Sequence, residues 1–181
     1  METVKILFFV LSSFFKTEGG QIAADTTTVT IDPKSREIEI VQENLFTVMQ
    51  SESDSILVSE QWKKLSDPKA GAYTWARDLD AFPIKDFGIE AVNNNLQTRL
   101  KLTYASENDL RVMGIWYDEG KNQFSVNHTP EQHITTKEGR LNDNYWLFDG
   151  DRTFSFTLEP FLEMPERFKK FKKGLNEIID E

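Results

Sequence analysis

Short runs in which apolar and polar residues alternate dominate the second half of the chain, and turn residues separate them. A period of two sends successive side chains to opposite faces of a β-strand and does not suit an amphipathic helix. The first runs cover residues 100–104, 109–117 and 124–127, with a turn at 118–122 between the last two. The sequence therefore predicts an antiparallel meander in the middle of the chain.

Two hairpins are predicted on either side of this meander. Residues 26–31 and 37–41 flank the turn sequence Asp32-Pro33-Lys34-Ser35, and residues 145–148 and 153–158 flank Asp149-Gly150-Asp151. Asp-Gly suits the positive φ angles of tight reversals, so the second pair gives the strongest hairpin signal in the chain. The side chains expected to point inward from the first hairpin are Val29, Ile31, Ile38 and Ile40.

Helical spacing appears in two places. Residues 43–49 and 53–66 are predicted to form two short helices, the second beginning at Ser53 or Asp54 and ending before Asp67-Pro68. Residues 66–95 show no sustained period. Near the C-terminus, apolar residues recur at steps of four and three and predict one long amphipathic helix. Its apolar stripe consists of Met164, Phe168, Phe171, Leu175 and Ile178.

The order of these elements predicts an α+β fold. In it, a curved antiparallel sheet, made of the N-terminal hairpin and the meander, is covered by helices that include the long C-terminal amphipathic helix. This order resembles the helix-grip architecture, in which a long C-terminal helix lies across a sheet and can enclose an apolar cavity. The resemblance is one of element order, so it implies a fold and no function.

The N-terminus has the features of an export signal. Ile6–Phe15 is an uncharged, mainly apolar run preceded by Lys5, and it is too short to span a bilayer. A processing site after Ala24 predicts a signal peptide at residues 1–24 and a single domain at residues 25–181. The protein is then exported, to the periplasm or the extracellular space. The same run could instead be a buried strand.

Net charge limits the partners of this chain. The sequence has 21 Lys and Arg against 30 Asp and Glu, a formal charge of −9. This charge repels nucleic-acid phosphates and anionic lipids, so we expect no nucleic-acid partner and no stable membrane insertion after processing. There is no cysteine, which excludes disulfides, thiolate metal sites and a cysteine nucleophile.

Motifs for cofactors and metals are weak. The sequence lacks the glycine-rich nucleotide-binding patterns and the serine-hydrolase pattern, and we expect no cofactor. His128, Glu131 and His133 are possible zinc ligands, but Pro130 indicates a loop and the spacing does not enforce convergence. We therefore expect no metal site.

One cluster suits ligand binding. Tyr73, Trp75, Arg77 and Asp78 bring two aromatic rings, a guanidinium and a carboxylate together in the irregular stretch. Such groups bind sugars, peptides or a protein partner. The alternative is that the aromatic residues fill the core while Arg77 pairs with an acid. Asp78 and Asp80 as an acid and base pair is a weaker interpretation.

These observations favour a non-catalytic exported soluble protein that binds a small ligand or a protein partner. The alternatives are a hydrolase with dispersed acidic residues and a small structural subunit of a surface assembly. A cavity with a few polar groups favours the binding protein, convergent carboxylates with shifted pKa values favour the enzyme, and an exposed apolar patch favours the subunit.

Overall fold

A computed structural model describes residues 21–66 and 82–179. This part of the chain is built mainly of β-strands, with short helical segments between them. The strands are β1 (Ala23–Asp32), β2 (Glu37–Val48), β3 (Ile84–Val92), β4 (Asn95–Thr103), β5 (Ile115–Asp118), β6 (Gln123–Asn127), β7 (Arg140–Asn142), β8 (Tyr145–Asp149), β9 (Phe154–Leu158) and β10 (Lys172–Gly174). The α-helices are α1 (Glu52–Ser66), α2 (Glu166–Lys169) and α3 (Leu175–Ile179).

The strands form two antiparallel sheets. The larger has six strands in the order β3-β4-β2-β1-β9, with β10 added to β2, and the smaller has four in the order β5-β6-β8-β7. One large core cluster takes buried side chains from both sheets, including Ile31 and Leu102 from the larger and Phe124 and Phe148 from the smaller. The two sheets therefore share a core and stabilise each other.

The predicted N-terminal hairpin is present. β1 and β2 are paired along their length, and Asp32 and Glu37 form the pair next to the turn. In the turn, the Asp32 carboxylate accepts a hydrogen bond of 3.0 Å from the Lys34 amide. This bond is typical of an aspartate at the first position of a turn. The inward residues were predicted correctly, since each is at most 7% exposed: Val29, Ile31, Ile38 and Ile40.

The predicted hairpin at residues 145–158 is wrong. β8 and β9 are both strands, but β8 pairs with β6 and β7 in the small sheet, while β9 pairs with β1 in the large sheet. Gly150 between them donates its amide proton to the carbonyl of Asn122, at 2.9 Å, in the turn between β5 and β6. The chain therefore passes from one sheet to the other at this point.

The predicted strand at residues 109–117 is half wrong. Glu107–Met113 forms a 3₁₀ segment, and the strand β5 begins at Ile115. Ser106 accepts a hydrogen bond from the Asn108 amide, Asp109 accepts one from the Ser106 amide, and Gly114 ends the segment at φ 74°. This reciprocal cap and the left-handed glycine explain why the segment is helical despite its alternating apolar residues.

The helix predicted at residues 43–49 is also wrong, because β2 continues to Val48. Leu45 and Phe46 pair with Ala24 and Ala23 of β1, so strand pairing overrides the helical spacing. Asn44 has a φ of 54°, and after it the residues from Leu45 to Val48 are all buried. The second helix is present as α1, with the Asp54 carboxylate accepting hydrogen bonds from the amides of two preceding residues.

The prediction of a long C-terminal helix is also wrong. The segment is divided into α2, β10 and α3, and β10 pairs its three residues with Phe46–Val48 of β2. The amide of Met49 also donates to the carbonyl of Phe171, at 3.1 Å. Gly174 lies inside the predicted helix, where glycine is unfavourable, and the edge of β2 offers the chain hydrogen bonds that compete with a helix.

These differences overturn the predicted fold class. The protein has two antiparallel sheets and short helices, in place of one helix-covered α+β sheet closed by a long C-terminal helix. The resemblance to the helix-grip order fails with that helix. The irregular stretch predicted at 66–95 also conceals a strand, because β3 pairs with β4 from Ile84 to Val92.

The predicted processing point lies inside β1. Ala24 is fully buried opposite Leu45, and the amide of Ile22 donates to the side-chain oxygen of Gln61, at 3.0 Å. Cleavage after Ala24 would remove three packed residues from the described fold. Residues 1–20 lie outside the described residues, and the signal peptide stays a prediction.

Candidate functional site

The cluster predicted to bind ligand lies outside the described residues. Tyr73, Trp75, Arg77 and Asp78 all belong to the stretch 67–81. Their role therefore stays a prediction. The described residues offer a second candidate on the four-stranded sheet, which was not predicted from the sequence.

One face of the four-stranded sheet is packed on the core and the other carries exposed side chains. Buried Ile115, Phe124 and Phe148 point inward, so the neighbouring residues on each strand point outward. The outward positions, called here the outer face, are Trp116 and Asp118 on β5, Gln123, Ser125 and Asn127 on β6, Tyr145, Leu147 and Asp149 on β8, and Arg140 and Asn142 on β7.

Trp116 lies at one edge of the outer face. Although tryptophan is usually well buried, this residue is 49% exposed. It is paired with Ser125 on the neighbouring strand, and the guanidinium carbon of Arg111 lies 5.3 Å from the centre of its ring. This cation-π contact restrains the indole without burying it.

Tyr145 is the second exposed aromatic residue of the outer face, at 47% exposure. The pairing of the strands places it directly between Asn127 of β6 and Asn142 of β7. Both asparagines are exposed. The aromatic ring is therefore flanked by two amide groups, each able to donate and to accept hydrogen bonds.

A depression of about 450 Å³ lies beside Leu147 of the outer face, and neither Trp116 nor Tyr145 is part of its lining. It forms where β8 extends beyond the end of the shorter strand β7. Its walls include three outer-face positions around Leu147, and it has the size of a small-molecule site. The full lining is Lys121, Asn122, Gln123, Glu138, Arg140, Leu147, Phe148 and Asp149.

The outer face is rigidly supported from below. Phe124 and Phe148 are each 1% exposed, and both contact Phe154 of the large sheet, with ring centres 5.3 Å and 4.3 Å away. Tyr117 packs on Phe124 and donates a hydrogen bond of 2.7 Å to the side-chain oxygen of Asn122. A surface held in this way can bind without being reordered, which favours affinity.

The charges of the outer face are largely balanced. Asp118 and Asp149 form salt bridges of 3.5 Å with Lys121 and Arg152, respectively. Arg140 is the third charged position of the face. The other positions are aromatic, apolar or neutral and polar, so the face differs from a body whose formal charge is −9.

The carboxyl groups with a shifted pKa among the described residues form hydrogen bonds or ion pairs within the fold. The hydrogen bond from Arg99, at 2.6 Å, lowers the pKa of Glu39, and Lys101 at 3.7 Å contributes. Hydrogen bonds from Ser35 and from the turn amides lower the pKa of Asp32. The carboxylates of Asp32 and Glu39 are thus held ionised, one in a turn and one on the surface of the large sheet.

A buried phenol lies near the same turn. Burial raises the pKa of Tyr104 to about 12, and the negative charge of Glu107 adds to the shift. The hydroxyl has no hydrogen-bond partner among the described residues. A phenol with so high a pKa is protonated at neutral pH, so it does not supply a general base.

The two histidines have different local surroundings. His128 follows β6 and packs edge-on against Trp146, with ring centres 6.0 Å apart. His133 ends the 3₁₀ turn Pro130–Gln132 with a φ of 45°. Among the described side chains, which do not include that of Glu131, no group of three or more His, Cys, Asp or Glu is placed to hold a metal ion.

Two further depressions lie elsewhere on the surface. One of about 520 Å³ is lined by Arg111 and Tyr117 together with Glu107, Asn108 and Glu119. The other, of about 500 Å³, lies beside the salt bridge of 2.6 Å between Lys172 and Asp25. Neither combines two exposed aromatic rings with neutral polar groups, as the outer face does.

The sequence did contain one signal for the outer face. The capping residues Ser106 and Asp109, followed by Gly114, indicate a helical turn that ends before Ile115. A strand that begins there with a buried isoleucine points Trp116 to solvent. In the predicted strand at 109–117, a period of two instead put Trp116 on the same face as the apolar residues Leu110 and Val112.

Comparison with known proteins gives no relative. No family model, no curated protein and no solved structure matches this chain significantly. Among the described residues, none of the helices combines the length and the apolar character required to cross a bilayer.

Proposed function

We propose that this chain is a non-catalytic binding protein and that its ligand lies on the outer face of the four-stranded sheet. The observation that carries the proposal is the placement of Trp116 and Tyr145. Both are about half exposed on a sheet face whose opposite side is packed into the core. Exposed aromatic residues on a rigid scaffold are typical of binding surfaces.

The proposal of a non-catalytic role is supported by the pairing of the carboxylates with basic side chains. Asp118 and Asp149 on the outer face are paired with basic side chains, and Glu39 is paired with Arg99 on the other sheet. A hydrolase of the acid and base type needs two carboxyl groups at a set separation with different environments. The arrangement of the described carboxylates favours recognition over catalysis.

Fluorine NMR can test the proposal. The chain has four tryptophans, at positions 62, 75, 116 and 146, and each reports on a different region when replaced by 5-fluorotryptophan. Single Trp→Phe variants assign the four resonances. We expect a saturable shift of the Trp116 resonance on titration with one class from a panel of neutral oligosaccharides, acidic oligosaccharides and short peptides.

The same spectra separate the alternatives. A Tyr145→Ala variant should weaken the ligand that shifts Trp116, whereas Leu162→Ala, which alters an exposed residue outside the face, should not. Shifts confined to Trp75 would move the site to the predicted cluster around that residue and overturn the outer-face proposal. No saturable shift with any class would also overturn it. A ligand recovered cleaved would support the hydrolase alternative.

Export remains part of the proposal. It depends on the apolar run Ile6–Phe15, which lies outside the described residues. An exported binding protein would meet ligands of the cell surface or the surroundings.

The structural-subunit alternative has one supporting observation. Ile56 and Leu57 on α1 are 59% and 43% exposed, which gives this helix a small apolar surface. Sedimentation at several concentrations tests it. A dimer or larger assembly that Ile56→Ser disrupts would favour the subunit, and a monomer at all concentrations would favour the binding protein.

A further inference from the structure

We propose that the ligand of the outer face is a neutral oligosaccharide, bound across Trp116 and Tyr145. This inference rests on the proposed binding role of the face and adds the chemical class of the ligand. Three properties of the face favour this class of ligand: the separation of its two aromatic positions, the polar groups between and around them, and its charge.

The spacing of the aromatic residues indicates an extended ligand. Trp116 and Tyr145 are two strands apart, and the registers place them two residues apart along the strand direction. Strands lie about 4.8 Å apart and rise about 3.3 Å per residue, so the two positions are about 12 Å apart. This separation exceeds one sugar ring and suits a short chain of them. The apolar C–H faces of sugar rings pack on aromatic rings of this kind.

The polar groups of the face suit hydroxyls. Asn127 and Asn142 flank Tyr145, and Ser125 lies between Trp116 and Leu147 in the row across the sheet. Amide and hydroxyl side chains donate and accept at once, as sugar hydroxyls do, so neighbouring groups can satisfy each other. A patch made for a protein partner is instead expected to have an apolar, fully desolvated centre.

Charge disfavours two competing classes of ligand. An acidic oligosaccharide is repelled by a protein of formal charge −9, and repulsion of this kind lowers both the association rate and the affinity. A basic protein or peptide would be attracted to the body of the molecule. The outer face does not offer it free carboxylates, because Asp118 and Asp149 are paired with Lys121 and Arg152. A neutral ligand is the one that this face favours.

The depression beside Leu147 extends the surface in a second direction. Gln123, Arg140 and Asp149 surround it with donors and acceptors. A ring lying against Leu147 can direct its hydroxyls into this depression while the next rings reach the aromatic residues. The site would thereby select particular glycosidic linkages, since only some linkages let one oligosaccharide contact Trp116, Tyr145 and the depression beside Leu147.

Titrations with defined hexasaccharides test the inference. We expect at least one of cellohexaose, laminarihexaose, chitohexaose and mannohexaose to shift the Trp116 fluorine resonance, and a galacturonic acid hexamer to leave it unchanged. Trp116→Ala and Tyr145→Ala, followed by calorimetry, should each weaken binding by about tenfold or more, as for other central aromatic contacts. Trp116→Phe and Tyr145→Phe should retain most of the affinity, because each keeps an aromatic ring. Leu162→Ala is the control for loss of an exposed apolar side chain.

Chain length gives a second readout. Affinity should rise from the disaccharide until the ligand spans both aromatic residues, and Trp116→Ala should remove this rise. If peptides shift Trp116 and no neutral saccharide does, the oligosaccharide inference fails while the binding role of the face stands. If none of these ligands shifts Trp116, both fail. Equal affinities of the wild type and both alanine variants would also contradict the inference.

Discussion

Phe148 and Phe154 stack on each other at 4.3 Å between ring centres, with 21° between their planes, although the strands that carry them belong to different sheets. Phe148 closes the underside of the outer face, and Phe154 belongs to the edge strand β9 of the large sheet. This pair therefore links the candidate site to the rest of the fold. The five residues between them connect β8 of the small sheet to β9 of the large sheet.

Replacing Phe154 by alanine should strongly destabilise the protein. Its ring is 2% exposed and contacts both Phe124 and Phe148. Truncation of a buried phenylalanine costs about 3 to 5 kcal/mol in free energy of unfolding. Urea denaturation measures this loss, and Leu141→Ala, at a side chain 46% exposed, serves as the control. Losses equal in the two variants would contradict the shared core.

Gly150 should not tolerate alanine. A Cβ atom at this position would lie 2.7 Å from the carbonyl oxygen of Asn122, which already accepts the Gly150 amide proton. Backbone cannot move aside easily, and overpacking of this kind costs about 1 to 3 kcal/mol. Gly120→Ala is the matched control, because its nearest neighbour is an Asp118 side-chain oxygen at 3.4 Å. A Gly150→Ala midpoint in urea equal to that of the control would refute the close contact.

Residue patterns predicted where the strands lie in the sequence better than which strands pair with each other. Both β8 and β9 are present, and the turn residues between them were recognised. The hairpin was predicted because Asp-Gly favours a positive φ, but Gly150 does not have one. The glycine is required instead by its approach to Asn122, a residue 28 positions earlier. Local sequence does not contain such a contact, so it could not show that the two strands separate into different sheets.

Long-range pairing also explains the errors at both ends of the fold. The apolar spacing at 43–49 and at 164–178 fits a helix, yet β2 and β10 pair with each other across this gap in sequence. A helix satisfies its hydrogen bonds locally, whereas a strand depends on a partner that one-sequence periodicity does not reveal. For the same reason, the exposure of Tyr145 could not be predicted without knowing that β7 lies beside β8.

Glu39 should make stability depend on acid pH. Its pKa is lowered from the ordinary 4.5, chiefly by the hydrogen bond from Arg99, so the folded state binds this proton less readily than the unfolded state. The stabilisation is complete above the ordinary value and is lost as pH falls through the lower folded value. Glu39→Gln should therefore reduce stability at neutral pH, by less than about 1 kcal/mol for so exposed a pair.

Urea titrations at several pH values check this. The difference between the wild type and Glu39→Gln should shrink as pH falls below 4.5, and Glu43→Gln, at an exposed position on the same strand, is the control. A difference that stays constant with pH would exclude the ion pair as its cause.

Zinc should not stabilise the protein. His128 packs against Trp146, and no group of three possible ligands forms a site in the described residues. A metal that binds the folded state raises the melting temperature by mass action. We expect an unchanged melting temperature with zinc at a few times the protein concentration. Stabilisation that a His128→Ala, His133→Ala double variant abolishes would establish a site and contradict this prediction.

The signal peptide can be tested by the mass of the exported chain. Expression in a host with an export pathway should yield a product that begins near Asp25, as the predicted processing site requires. An exported product that still carries Met1, or retention of the whole protein in the cytosol, would contradict the leader prediction.

The start of the mature chain also has a predicted effect on stability. Ile22, Ala23 and Ala24 are at most 5% exposed, and Ile22 donates its amide proton to Gln61 of α1. A chain that begins at Asp25 loses these contacts, and burial of the isoleucine side chain alone contributes about 1.5 to 3 kcal/mol. A chain beginning at Gln21 should therefore unfold at a higher urea concentration than one beginning at Asp25. As a control, Ile22→Ala in the longer chain should account for part of the difference, since it removes the side chain and keeps the hydrogen bond. Equal midpoints for the two chains would mean that these residues do not pack on β2 and α1 in solution, and cleavage after Ala24 would then leave the fold unchanged.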